Sequence, residues 1–238
     1  FRPSSRVVQM APFDDVPDLL EHFWLVYDYV TDLVCGRRAT ADDGLIQRFL
    51  ARRHLAQPPL SDQELVALLL GSVLGADHNV LSVLSKAVYV LLHSAPLWER
   101  LATDPGCAPG MVEELLRILP LGTISAFPRL ATHDVALSAG TILDGDVVYA
   151  DAFAANRDAS VFPKPNAIDP DRNGKRHLQF GYGMHHCMGA ALARMQLTRT
   201  LTTLAAEFPT LKLATSSADL PWDSGVILRR PVALPVRW

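Results

Sequence analysis

Phe180-Gly181-Tyr182-Gly183-Met184-His185-His186-Cys187-Met188-Gly189 decides the reading of this chain. Two glycines precede Cys187 and one follows it, so the backbone there can take positive φ and come close to a flat ligand. An isolated cysteine is usually a small buried hydrophobe. Here a helix predicted to begin near Met188 sets its positive end, with free N–H groups, beside the sulfur. That placement lowers the thiol pKa and favours a thiolate. Such a sulfur is either a nucleophile of the Cys/His hydrolase kind or a metal ligand. Zinc is the weaker choice of metal, because it takes several Cys or His ligands and no second cysteine lies nearby.

Working outward, residues 188–208 predict a helix, followed by short closing strands at 211–213, 226–228 and 232–236, with a turn at 222–225. On the other side, residues 156–179 form a long irregular run rich in Asp, Pro and Asn, and loops of that length usually have a functional reason. Residues 124–131 and 135–137 read as strands, and Asp144-Gly145 within 141–150 is a hairpin signal. The first half is helix after helix: 16–33, 44–54, 96–103 and 109–119, the last with Pro at its start. Ser61 and Glu64 spell a capping box. It opens a helix at about 62–93 that is apolar on nearly all sides, and such a helix is expected to have protein over both faces.

With 238 residues, 49% of them hydrophobic, the chain can bury a large core. Its 22 Lys and Arg face 25 Asp and Glu, for a net charge of −3 and without a long basic run, which speaks against a nucleic-acid partner. Three scattered cysteines make no disulfide framework and point to a reducing, cytoplasmic setting. Residues 65–92 tempt a hydropathy scan, but Asp77, His78, Asn79 and Lys86 interrupt them. A helix inside a soluble protein is the better reading than a membrane span. The chain opens on Phe1 rather than Met, which points to a longer parent, and residues 1–15 hold no signal peptide.

The pattern F-x-x-G-x-H-x-C-x-G, continued by Ala191-Leu192-Ala193-Arg194, resembles the cysteine-ligand loop of the cytochrome P-450 family. Other matches follow in the family's order. Glu114-Leu115-Leu116-Arg117 resembles its helical E-x-x-R, and Arg129 its strand arginine. Ala155-Asn156-Arg157-Asp158 ahead of Phe162, and Arg172 ahead of His177-Leu178, match bacterial members, and the long helix fits the one that crosses the distal face of the cofactor. The resemblance covers about residues 33–238. It implies a mainly α fold with a small β part, read as a single partial domain over 1–238. The helical portion is 1–120; the β hairpins, irregular loop, cysteine loop and following helix occupy 121–238.

The resemblance also implies heme (iron protoporphyrin IX), with Cys187 as the proximal iron ligand, whose thiolate pushes electron density towards iron and favours O–O cleavage. Gly183 and Gly189 would give close approach, and N–H groups near Gly189 would moderate the charge on sulfur. Phe180 would pack on the sulfur side of the ring. Arg129 and His185 are implied partners of the heme propionates, and His186 a bystander. Glu114 and Arg117 lie three apart on one helical face, which by spacing alone describes a surface pair. The resemblance implies a buried pair that supports, with Arg172, the loop ahead of the cysteine.

One departure concerns Gly75-Ala76-Asp77-His78, where the family reads Gly, any residue, an acid and an alcohol. Asp77 keeps the acid and His78 replaces the hydroxyl, so this is the implied catalytic pair. Three roles stand open for His78: acid/base near neutrality, iron ligand from the distal side, or a side chain packed against a neighbouring helix.

The function implied is a heme-thiolate monooxygenase. It would insert one oxygen atom into a small apolar substrate in bacterial secondary metabolism, with a ferredoxin-type electron donor on the cysteine side. Two alternatives remain: a non-oxygenating heme enzyme (peroxide-driven, isomerase or cyclase), and an inactive helper protein that binds a partner enzyme. A second departure is length. The chain matches the family's C-terminal part and lacks its N-terminal helices. It reads either as a fragment or as a short homologue whose open apolar face is covered by a partner protein or a second copy.

Overall fold

A computed structural model describes residues 16–122, 128–172, 176–223 and 228–238, with the side chain of Asp77 outside that set. The described residues are mainly α with a small β part, as expected: seven α-helices, among them the four-residue α6 (Ala152–Ala155), and three two-stranded ladders.

Helix α1 (Val16–Val34) buries Val26, Val30 and Val34, one residue per turn along a single stripe. It ends where Gly36 takes φ +70°, a left-handed stop that costs least in a residue without Cβ. Helix α2 (Leu45–Arg52) tightens into a 3-10 turn at Arg53–Leu55. Helix α3 (Asp62–His93) runs 32 residues, with the predicted bounds. Its capping box forms as read: Glu64 Oε2 accepts the Ser61 N–H at 2.8 Å, and the Glu64 N–H donates to Ser61 Oγ at 3.2 Å.

The described residues of Phe1–Asn79 and Gly225–Leu228 make one compact unit, and those of Val80–Ser224 and Arg229–Trp238 another. The core of the first joins the α1 valines to Leu65, Val66, Leu69 and Leu70 of α3, with Ile46, Phe49 and Leu50 of α2 against them. The core of the second is larger. Val83, Ala87 and Leu91 of α3 pack with Trp98 and Leu101 of α4 (Ala95–Thr103) and with Met111, Val112, Leu115 and Leu116 of α5 (Ala108–Ile118). Leu197, Leu201 and Ala205 of α7 (Ala190–Glu207) close it. Each such leucine contributes roughly 1.5–3 kcal/mol on leaving water.

The expectation that α3 is covered on both faces fails in its middle, where Val73 and Leu81 are exposed. Its buried residues fall at helical spacing in each unit, flanked in the second by the partly buried Val80, Leu84, Val88 and Leu92. By length and a mean hydropathy of 1.5, α3 would suffice to cross a membrane, as many core helices would. Two of its buried polar groups, however, are bonded within the protein. Ser82 Oγ donates to the carbonyls of Leu121 at 3.2 Å and Arg229 at 3.3 Å, and Lys86 Nζ donates to those of Pro120 and Leu121.

The β pairing corrects the predicted hairpin. Strands β3 (Gly140–Ile142) and β4 (Val147–Val148) flank Asp144-Gly145 but do not pair with each other. β3 pairs back on β2 (Val135–Leu137), Val135 opposite Ile142, and β4 pairs with β1 (Arg129–Leu130), Arg129 opposite Val148. The Asp144-Gly145 turn is real, with Gly145 at φ +86°. Its amides bond outward, however, Gly145 N–H to Ala131 O and Asp144 N–H to Asp134 Oδ1, which leaves β3 free for β2. β5 (Lys212–Leu213) pairs with β6 (Val236–Arg237). Most of the strands read at 124–131 and 226–228, and the end of the turn read at 222–225, lie outside the described residues. Trp222 bridges Pro231 where that last hairpin would close.

Candidate functional site

The cysteine loop closes on itself. Cys187 N–H donates to Phe180 O at 2.8 Å and His186 N–H to Gly183 O at 3.0 Å, while Gly181 and Gly183 stand at φ +73° and +76°. These two positions need glycine, because a Cβ is strained at such angles. α7 begins at Ala190, two residues later than read, and Gly189 is its N-cap. A Cβ on Gly189 would lie 3.8 Å from Cys187 Sγ, an ordinary van der Waals distance, so the sulfur faces this glycine. The loop thus sets a free, exposed thiol beside the N-terminal end of an 18-residue helix, where a negative charge is favoured.

Around that thiol, Tyr182, Met184 and Met188 are 89%, 93% and 75% exposed. A large apolar rim about an open sulfur fits a flat apolar ligand that covers it. His185, in the 3-10 turn Gly183–His185, is exposed, as is Arg129 at the start of β1. The Arg129 guanidinium is a fork of donors whose chemistry suits carboxylates. The donor chemistry therefore fits a thiolate-ligated heme: Cys187 for iron, glycines for close approach, and Arg129 and His185 for the propionates. Phe180 makes contacts within the protein. Its ring lies under the Arg194 guanidinium at 4.6 Å and is 5.8 Å from the His177 ring.

Glu114 and Arg117 form the buried pair that the family resemblance implies, with side chains 5% and 1% exposed. Arg117 Nε and Nη2 meet the two carboxylate oxygens at 2.7 and 2.8 Å. Its remaining N–H groups donate to the carbonyls of Asn156 at 2.9 Å, Pro165 at 2.7 Å and Ala167 at 3.0 Å. All five donors are used, which is what a buried guanidinium requires. Glu114 also accepts the Asp169 N–H at 3.0 Å and lies 3.0 Å from Arg172 Nε. Burial works to raise the Glu114 carboxyl, but Arg117, the Asp169 amide and Arg172 outweigh it and hold it below its ordinary value. Arg172 Nη1 in turn donates to Pro163 O at 2.7 Å. Three side chains thus pin the irregular run, and they bond to its backbone because it has no ladder of its own.

Four further residues join this support. Asn156, fully buried, accepts the Leu178 N–H on Oδ1 at 2.7 Å and so ties the Arg117 network to the cysteine loop. Glu113 forks onto Arg194 at 2.6 and 3.1 Å and sits 3.2 Å from His177 Nε2, out of line for a hydrogen bond there. Burial would raise the Glu113 carboxyl, but His177 and Arg194 hold it down to about 2. Asn156, His177 and Arg194 all stood in the motifs read from the sequence, and only the fold reveals what they grip. Of the implied catalytic pair, His78 is buried in α3, whereas the side chain of Asp77 lies outside the described residues.

Comparison with known proteins gives a consistent result. A model of the cytochrome P-450 family matches residues 108–232. The chain is 40% identical over 212 residues to mycinamicin IV hydroxylase/epoxidase of Micromonospora griseorubida, covering 89% of this chain and 53% of that protein. It is 38% identical over 211 residues to nocardicin C N-oxygenase of Nocardia uniformis subsp. tsuyamanensis, covering 89% and 52%. The solved structure of the mixed-function P-450 MycG is similar at a TM-score of 0.90 and 37% identity, over 100% of this chain and 60% of that one. The chain spans about half the length of the curated relatives it matches.

Proposed function

The chain belongs to the cytochrome P-450 family, whose cofactor is heme iron, and on that premise we propose that it is a heme-thiolate monooxygenase of bacterial secondary metabolism. The relatives named a hydroxylase/epoxidase and an N-oxygenase support this choice of reaction. The substrate is a small, largely apolar metabolite, the electron donor a ferredoxin-type protein on the cysteine side, and the setting cytoplasmic. Residues 1–238 are read as one partial domain of the fold.

The observation that carries the reading is the exposed Cys187 thiol, held by its own amide on Phe180 O at the start of α7. When bound, thiolate-ligated heme iron supplies the activation of dioxygen that inserts one oxygen atom into the substrate. The chain's own residues have separate tasks. Cys187 would supply the sulfur ligand, and the N–H groups at the head of α7 favour negative charge beside it. Arg129 and His185 would donate to the propionates and so hold the macrocycle. Glu114, Arg117 and Arg172 hold the backbone that leads into the loop. Asp77 and His78 are the proposed proton donors, His78 as a ring nitrogen in place of a hydroxyl.

Turnover under isotopically labelled dioxygen tests this: one labelled oxygen atom in the product supports it. A second reading, peroxide-driven oxidation, is favoured by the imidazole of His78 where an alcohol would stand. It predicts label from hydrogen peroxide and none from dioxygen.

A further inference from the structure

We propose that Glu113, with His177 and Arg194, is a clamp across the base of the cysteine loop, and that these three are positioning residues for the Cys187 sulfur. The proposal rests on the heme-thiolate reading above. Glu113 reaches both flanks of the loop: His177 ahead of it at 3.2 Å and Arg194 beyond it at 2.6 and 3.1 Å. Both flanks meet the same ring. The Arg194 guanidinium lies over Phe180 at 4.6 Å, within cation–π range, and the His177 ring is 5.8 Å away. His177 Nδ1 also accepts the Gln179 N–H at 3.2 Å, which fixes the residue that enters Phe180. Phe180 O then receives the Cys187 N–H at 2.8 Å. A shift of the Glu113 carboxylate is therefore relayed by its two partners to Phe180, and by one hydrogen bond to the cysteine backbone.

Two adjacent glutamates on α5 divide the support between them. Glu114 is buried and bonds to the irregular run at 156–172, whereas Glu113, 44% exposed on its side chain, serves the cysteine loop. Half-exposed ion pairs add little to global stability. The effect of this one is local, on the order of the loop and on the direction in which the sulfur points, much as outer-shell partners orient metal ligands.

The test is Glu113→Gln in the 238-residue chain, with Arg194→Met as the second variant and Glu113→Asp as the conservative one. In the heme-free chain, amide exchange at Cys187 is expected to quicken about tenfold in the first two, with core amides such as Leu115 and Leu201 unchanged. In the heme-loaded chain, a larger share of the reduced, carbon-monoxide-bound protein is expected to give the spectrum of a neutral thiol rather than of a thiolate, and Glu113→Asp to restore both measures. Unchanged exchange and an unchanged spectrum in Glu113→Gln would overturn the clamp, and so would unfolding of both disruptive variants, because the role assigned is local. If the unaltered chain itself lacks the thiolate spectrum, the functional reading fails instead, while the exchange rates still judge the clamp.

Discussion

Asn156 accepts the backbone N–H of Leu178 on its side-chain oxygen at 2.7 Å, and its own carbonyl accepts Arg117 at 2.9 Å. One fully buried residue thus couples the arginine network of α5 to the start of the cysteine loop. Asn156→Ala removes the acceptor and leaves the Leu178 amide unpaired, for a loss of about 1–3 kcal/mol. Denaturant unfolding measures that loss, and amide exchange should locate it at Leu178 and Gly181, whose N–H bonds Leu178 O.

Arg117→Leu strips the buried Glu114 of its fork and takes the Arg117 donors from the carbonyls of Asn156 and Pro165, while Ala167 O keeps Arg172 Nη2 at 3.3 Å, an expected cost of about 3–5 kcal/mol. Arg117→Lys recovers little of it, because one ammonium cannot reach five acceptor directions. Against a total stability of roughly 5–15 kcal/mol, both variants should melt well below the unaltered chain and hold heme poorly.

Gly110 lies on α5 where an added Cβ would meet the backbone oxygen of Pro170 at 2.0 Å. Gly110→Ala gains about 1 kcal/mol of helix propensity but forces the 169–172 segment away from α5. The expected net loss is about 1–3 kcal/mol, together with lengthening of the bond from the Asp169 amide to Glu114. Thermal melts of this single variant provide the check.

Lys86 donates to two backbone carbonyls, and burial, with Arg229 nearby, depresses its ammonium from 10.5 to about 8. Between those two values the unfolded chain binds the proton that the folded chain has released, so stability should rise as pH climbs from about 8 to 10.5. Lys86→Met should abolish that slope. Urea titrations of both proteins across the window measure it.

Much of this architecture was legible because its signals are local. The capping box at Ser61 and the break before Pro96 bound α3 to the residue, and the glycine-flanked Cys187 marked the loop. The strand order was not legible. Asp144-Gly145 announces a turn but does not say which neighbour a three-residue strand will join, and the Gly145 and Asp144 amides decide it by bonding to Ala131 and Asp134. Glu113 was missed for a related reason. Its partner Arg194 lies far along the chain, and beside the motif residue Glu114 it reads as one more surface acid. The exposed side of α3 was misjudged because helical periodicity reports which residues are apolar, not which of them find neighbours.

The central claim is a sulfur anion on heme iron at Cys187, and the absorbance spectrum of the reduced, carbon-monoxide-treated protein tests it most directly. The account predicts the thiolate-type Soret band in the unaltered chain and its loss in Cys187→Ala. A chain that refuses heme, or one whose band survives the Cys187→Ala change, would contradict it.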